Sequence, residues 1–215
     1  MKTTFNYEQF NTMPLIGILR NAPLKDLDRL LDLYAAAGLT TLEITLNSPG
    51  SLKMIEHAAS RLSGTLNIGA GTVCSQADLK AALDAGAEFI VTPIVNEAVI
   101  AACAQQAVPI FPGAMTATEI YTAWQTGATM VKVFPASTLG PGHFSQILGP
   151  LNHVKLLATG GISLENMNQY WAAGARGFGI GSPLFIKQMI VDRHWQELSA
   201  HFKAFAHQLK TLLES

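Results

Sequence analysis

Two ionisable residues stand where a strand-forming segment would normally be apolar. Lys132 sits in MVKVFP (130–135), between Val131 and Val133. Side chains alternate along a strand, so the valines share one face and Met130, Lys132 and Phe134 share the other. If the valines pack outward, Lys132 points inward. Burial disfavours an ammonium, so its pKa should fall. A neutral amine attacks a carbonyl and forms a Schiff base. The competing reading is a lysine snorkelling from an edge, which a position between two valines disfavours. Glu43 stands the same way in TTLEITL (40–46): Leu42, Ile44 and Leu46 share one face, Thr41, Glu43 and Thr45 the other. A buried carboxylate needs a partner. Lys132 is a candidate, with coupled titration as the consequence. Glu43 then reads as a general base, against the alternative of a structural ion pair.

Weaker signals surround these two. Arg20 ends the run PLIGILR (14–20), where a guanidinium suits a carboxylate or phosphate or caps a loop. Thr72, Thr92, Pro93, Pro112 and Gly113 close other strand-like runs; their hydroxyls and turns suit a small acid, and ordinary loop chemistry explains them equally. TGG (159–161) and GIGS (179–182) end the last two runs. Glycines let backbone N–H groups approach an anion; the alternative is packing in a tight turn. The six histidines show no metal-ligand spacing, and no HExxH, CxxC or DxD cluster occurs, so no metal site and no cofactor are expected. Cys74 follows GAGTV without a histidine beside it and does not read as a nucleophile.

These residues need strands to hold them. Eight β-branched runs are expected at 14–20, 40–46, 66–72, 88–93, 108–114, 130–135, 155–161 and 177–182. Helices are expected near 24–37, 50–62, 76–85, 96–106, 117–126, 143–149, 164–173 and 184–190, with a short leading helix at 4–11 and an extra one at about 193–213. Gly38, Gly86, Gly127 and Gly174 follow small residues just before the next strand and suit helix C-caps. Ser75, Asn96, Thr116 and Ser163 suit N-caps. Eight strand–helix units imply a parallel sheet with crossovers. A closed (β/α)8 TIM barrel, one domain over 1–215, fits better than an open doubly wound sheet. No GxGxxG opens the first helix, and the glycine turns sit late, where barrels bind phosphate.

Composition narrows the function. The 215 residues carry Lys+Arg 14 against Asp+Glu 15, a net charge of -1, so there is no basic excess and nucleic acid is not the expected partner. Hydrophobic residues make up 49%, which excludes disorder. The charged fraction, 13%, is about half the usual ~25%, which suggests surface covered by other subunits. No signal-peptide pattern opens the chain and no run of about 18 apolar residues spans a membrane. With two cysteines, Cys74 and Cys103, a reducing cytoplasm is the expectation.

LEITLNSP, GAGTV, VTP, PIFPGAMTATE, VKVFPAS and ATGGIS, in that order over about residues 13–190, resemble the class I 2-keto-3-deoxy-6-phosphogluconate aldolases and their relatives, the 6-phosphogalactonate and 4-hydroxy-2-oxoglutarate aldolases. The resemblance implies a homotrimer of barrels with a Schiff-base lysine and a small phosphorylated keto acid as substrate. On that resemblance Lys132 is the nucleophile and Glu43 the general acid/base. Thr72 and Pro93 belong to the pyruvate site, Phe134 is the wall beside the lysine, and Gly160, Gly161, Gly181 and Ser182 form the phosphate turns. Gluconate-type members commonly have Leu-Arg-Thr where this chain has Leu46-Asn47-Ser48. LNSP with ILR resembles the galactonate branch, where Arg20 takes over the carboxylate; Thr159 resembles the gluconate branch. The resemblance thus implies cleavage to pyruvate and D-glyceraldehyde 3-phosphate. A 4-hydroxy-2-oxoglutarate aldolase and a non-catalytic sugar-phosphate-binding barrel are the alternatives. Epimerase-like and thiamine-phosphate-synthase-like barrels are further competitors; the epimerases carry strand-end His and Asp ligands, missing here.

Overall fold

The computed structural model describes residues 5–214; residues 1–4, including the first residue of the expected leading helix, and residue 215 lie outside it. Nine strand segments are all parallel: β1 (Leu15–Leu19), β2 (Thr41–Thr45), β3 (Asn67–Gly71), β4 (Ile90–Val91), β5 (Ile110–Phe111), β6 (Gly113–Ala114), β7 (Val131–Val133), β8 (Leu156–Thr159) and β9 (Phe178–Ile180). Their spatial order is β5-β4-β3-β2-β1-β9-β8-β7-β6. The two ends of that series, β5 and β6, are separated only by Pro112. They are one strand of the expected eight, broken because proline has no N–H for the ladder. Before the proline this strand pairs with β4, and after it with β7. The Gly113 N–H donates to the Thr92 carbonyl at 3.0 Å and the Lys132 N–H to the Pro112 carbonyl at 2.9 Å. The result is a single-domain (β/α)8 barrel.

Helices follow the strands: α1 (Tyr7–Thr12) precedes β1, then come α2 (Leu27–Ala36), α3 (Ser51–Arg61), α4 (Gln76–Asp84), α5 (Glu97–Gln105), α6 (Ala117–Thr126), α7 (Ala136–Leu139), α8 (Pro141–Leu148), α9 (Met167–Ala172), α10 (Lys187–Val191) and α11 (Trp195–Glu214). Ser75, Asn96 and Thr116 cap their helices through their side chains, and Thr116 forms a reciprocal box with Glu119. Gly38, Gly86, Gly127 and Gly174 all take positive φ.

Four expectations need correction. Ser163 is not an N-cap: α9 starts at Met167, and the Ser163 N–H instead donates to Asn166 Oδ1 at 2.9 Å. The expected helix at 184–190 begins only at Lys187, because the Leu184 and Phe185 N–H groups turn back to the Gly181 carbonyl, each at 2.9 Å. A one-turn helix, α7, lies just after β7, where a loop is expected. The run 108–114 is two segments rather than one.

Alternation divides the core in two. Leu42, Ile44, Val131 and Val133 face outward and join the layer between strands and helices. Ile16, Phe89, Val91, Phe111, Met130 and Leu157 face inward and form a separate cluster with Phe5 and Phe10. The last two come from the N-terminal segment, which closes the bottom of the barrel. Phe10 and Phe111 pack edge-on at 5.3 Å and Phe89 and Phe111 at 5.8 Å. On the outer side, buried Tyr34 ties two strands: it accepts from the Gly17 N–H at 3.0 Å and donates to the Thr41 carbonyl at 2.8 Å. Gly17 permits this, since a Cβ there would stand 2.6 Å from the Tyr34 hydroxyl. No helix among the described residues is long and apolar enough to cross a membrane.

Candidate active site

Climbing the inward faces from the sealed end, the residue type changes within one step of the alternation. Met130 gives way to Lys132 and then Phe134; Leu157 to Thr159; Ile16 to Ile18 and then Arg20. Lys132 is 7% exposed and Glu43 2%. Burial lowers the pKa of Lys132; the Glu43 carboxylate opposes that shift and the Arg20 guanidinium assists it. Burial raises the pKa of Glu43, with Lys132 and Arg20 pulling the other way. Both shifts push toward the uncharged forms, a neutral amine and a protonated acid. Such a pair, buried in one apolar shell, has the chemistry for nucleophilic attack and proton transfer.

Space for Glu43 is made by a glycine. A Cβ at Gly71 would fall 1.5 Å from Glu43 Oε1, so no side chain fits there. Glu43 Oε2 is buried and has no hydrogen-bond partner. Thr159 Oγ1 is likewise buried without one. A Cβ at Gly179 on the neighbouring strand would come within 2.4 Å of that hydroxyl. Unpaired buried polar atoms are costly, and two of them on inward-facing strand residues suit a polar ligand. The Lys132 ammonium lies 5.0 Å from the ring centroid of Phe134, which is 39% exposed.

A cavity of about 580 Å³ opens at the C-terminal strand ends. It brings together Arg20, Phe134, Thr159, Gly160, Gly161, Gly181 and Ser182, all expected from the sequence, with Asn21, Pro23, Ile162 and Lys187, which were not. Two larger cavities, about 670 and 950 Å³, lie against Pro14, Thr129 and Lys155, and against Glu88 and Pro109, at the N-terminal strand ends. None of the three is lined by Lys132 or Glu43, but the smallest adjoins them: it is lined by Arg20, whose charge acts on both groups, and by Phe134, whose ring centroid lies 5.0 Å from Lys132 Nζ. Gly160 and Gly161 adopt φ of 94° and 75°, conformations that glycine takes without strain. Among the described residues, the N–H groups of Gly161, Ile162 and Ser182 donate to no protein acceptor. Three free amides on adjacent turns suit an anion.

Lys132 and Glu43 are not in the lining of this cavity, and Asn47, Thr72 and Pro93 also fall outside it. Asn47 is exposed in the turn after β2. Its neighbour Ser48 is the buried one: Ser48 Oγ contacts Thr45 Oγ1 at 2.9 Å and accepts from the Asn21 N–H at 2.9 Å, fixing the residue that follows Arg20. Sequence reading missed Ser48, Gly71, Gly179 and Lys187; the two glycines lie in runs already quoted for their neighbours. Thr72 is half-buried with φ of 61°, an uncommon conformation for a β-branched residue and a mark of local constraint. The Thr92 hydroxyl donates to the Ile94 carbonyl and serves the loop. Pro93 approaches Gly113 so closely that a Cβ on the glycine would meet the Pro93 carbonyl oxygen at 2.5 Å.

A family model described as KDPG and KHG aldolase matches residues 7–201. The chain is 34% identical over 194 residues to 2-dehydro-3-deoxy-6-phosphogalactonate aldolase of Escherichia coli (strain K12), covering 90% of this chain and 95% of that one. It is 35% identical over 182 residues to 2-dehydro-3-deoxy-phosphogluconate aldolase of Pseudomonas aeruginosa PAO1, covering 84% and 80%. Its fold matches a solved KDPG aldolase from Legionella pneumophila, in which pyruvate is captured as a covalent carbinolamine. The TM-score is 0.85 at 26% identity, covering 92% of this chain and 96% of that one. With a family model spanning nearly its whole length and relatives above 30% identity, this chain belongs to the KDPG and KHG aldolase family, the class I carbon–carbon lyases.

Proposed function

We propose that this chain cleaves a 2-keto-3-deoxy-6-phospho sugar acid to pyruvate and D-glyceraldehyde 3-phosphate, with Lys132 as the Schiff-base nucleophile. The observation that carries this reading is a buried lysine inside the barrel, its pKa lowered, in the field of a buried carboxylate. Neutral Nζ attacks the C2 carbonyl and gives a carbinolamine. Glu43 supplies the proton with which the hydroxyl leaves as water, and the iminium forms. The Glu43 carboxylate, having given up its proton, takes the C4 hydroxyl proton; C3–C4 breaks, and the electron pair flows to the iminium nitrogen as an enamine. The aldehyde departs carrying the phosphate. Glu43 returns a proton to C3, and water hydrolyses the iminium to pyruvate and free Lys132. A carboxyl whose pKa burial raises can hold and return that proton.

The substrate's two anionic ends match the two ends of the cavity. Arg20, whose charge acts on both Lys132 and Glu43, takes the C1 carboxylate. Phe134 lines the side of the keto acid, and Thr72 and Pro93 confine pyruvate. The amides of Gly161, Ile162 and Ser182, on turns shaped by Gly160 and Gly181, take the phosphate. Thr159, with a hydroxyl free to bond, stands where it discriminates between C4 epimers. Arg20 supports the galactonate-derived epimer and Thr159 the gluconate-derived one; rates on both acids, with 4-hydroxy-2-oxoglutarate as a third, decide. We further infer a cytoplasmic homotrimer. Two free cysteines suit a reducing compartment, and exposed Ile94, Met115 and Tyr121 suit a covered surface.

Borohydride reduction with pyruvate tests the reading. One reduced adduct at Lys132 is the expected result. Labelling at another lysine, or none, removes the assignment.

A further inference from the structure

We propose that Lys187 is the specificity-determining residue that makes this enzyme select a phosphorylated substrate, by placing a full positive charge against the phosphate. The inference rests on the reading above and adds a residue that no motif marks. In the cavity that adjoins Lys132 and Glu43, two cationic side chains, Arg20 and Lys187, and no carboxylate form the lining among the described residues. Arg20 belongs to the reacting end, since its charge shifts both Lys132 and Glu43. Lys187 acts on neither of those groups. It stands instead on the wall that continues from Gly181 and Ser182.

The backbone holds it there. The Leu184 and Phe185 N–H groups both close on the Gly181 carbonyl, turning the chain just before Lys187, which lines the same cavity as Gly181 and Ser182. Phe185 is buried and stacks on Tyr34 with ring centroids 5.9 Å apart, anchoring the segment two residues before the lysine. At its far end the segment is tied across the cavity mouth: Arg193 Nη2 lies 3.1 Å from Oδ1 of buried Asp26, just after the loop that carries Arg20. Lys187 itself is exposed, and no carboxylate among the described residues pairs with it within 4.0 Å. Its charge is therefore uncommitted.

The amides and the lysine have different jobs. Turn N–H groups fix geometry and favour an anion through partial charges only. A lysine ammonium discriminates the dianion from the neutral alcohol, because a charge-assisted bond is about twice as strong as a neutral one.

The test compares kcat/KM for the phosphorylated acid with that for the same 2-keto-3-deoxy acid lacking the phosphate. In Lys187→Ala the ratio should fall about tenfold or more, carried by a higher KM rather than a lower kcat. Lys187→Arg should retain most of the ratio, and Lys187→Glu should reduce it further than alanine does. The inhibition constant of inorganic phosphate should rise in the same order. A ratio unchanged in Lys187→Ala, or a loss equal for both acids, overturns the proposal. If the wild-type enzyme itself shows no preference for the phosphorylated acid, the functional reading above has failed instead.

Discussion

The two halves of the barrel interior are built on the same strands and do opposite things. The lower half holds Ile16, Phe89, Phe111, Met130 and Leu157 under a lid of Phe5 and Phe10. It is apolar and closed. One alternation step higher, the same strands present Lys132, Glu43 and Thr159, with unpaired polar atoms on two of them. The lower layer stabilises the scaffold by burying apolar surface. The upper layer costs stability by burying ionisable groups and unpaired polar atoms, and function compensates. The tight lower packing is what lets the upper layer stay uncollapsed: glycines such as Gly71 and Gly179 open room there, and the rigid floor prevents the neighbours from filling it.

Lys132→Met converts the upper layer to the chemistry of the lower one, repeating Met130. Turnover should drop by about 10⁴ or more, since the covalent step is lost. The pyruvate adduct should vanish, while the unfolding midpoint rises because a buried amine is replaced by a packed apolar chain. A lower midpoint would mean that Lys132 contributes to stability, and the contrast between layers would fail.

The reverse experiment is made in the floor. Phe111→Ala should cost about 3–5 kcal/mol of stability in denaturant unfolding, with kcat at low temperature changed far less. Glu43→Gln keeps the volume and removes the proton acceptor. Its kcat should fall by about 10²–10⁴ with little change in substrate binding. Turnover close to wild type would move Glu43 to a structural role.

Arg20→Ala should raise the Michaelis constants for the keto acid and for pyruvate, a loss of about 1.5–3 kcal/mol for one charge-assisted bond. Arg20→Lys should recover part of it, lacking the planar fork. Unchanged Michaelis constants would place the carboxylate elsewhere, on amides near Thr72.

The smallest effect expected is on pH dependence. Lys132 has a depressed pKa, so the rate of borohydride-trappable imine formation should rise through a pKa below that of an ordinary lysine. Glu43 opposes that depression, so Glu43→Gln should move the rising limb to lower pH; Arg20 assists it, so Arg20→Ala should move the limb up. The same shift bears on stability. A lysine with a lowered folded pKa lets the unfolded chain bind more protons between the two values, so this contribution favours folding as pH rises through that window. Limbs that do not move would show that the three charges are not coupled.

The period-two pattern of the sequence by itself set which way Lys132 and Glu43 point. Valines on one face of MVKVFP and aliphatics on one face of TTLEITL must be buried against helices, and the alternate residues then have only the interior to occupy. Strand count, helix-ending glycines and three of four N-caps were legible for the same reason: they depend on neighbours a few residues away. Ser163 misled because Asn166 competes for the same turn, and local spacing does not say which oxygen wins. The tertiary structure alone decided what meets what at the top of the barrel. It left Asn47 exposed and made Ser48 the residue that steadies the Arg20 loop. It broke the fifth strand at Pro112, and brought Lys187 to the cavity that the glycine turns line. It also assigned Gly71 and Gly179 their work, which is to be absent where a carboxylate and a hydroxyl must stand. These outcomes depend on strand register and loop path, set by contacts between segments tens of residues apart, and the pattern within one segment carries no record of them.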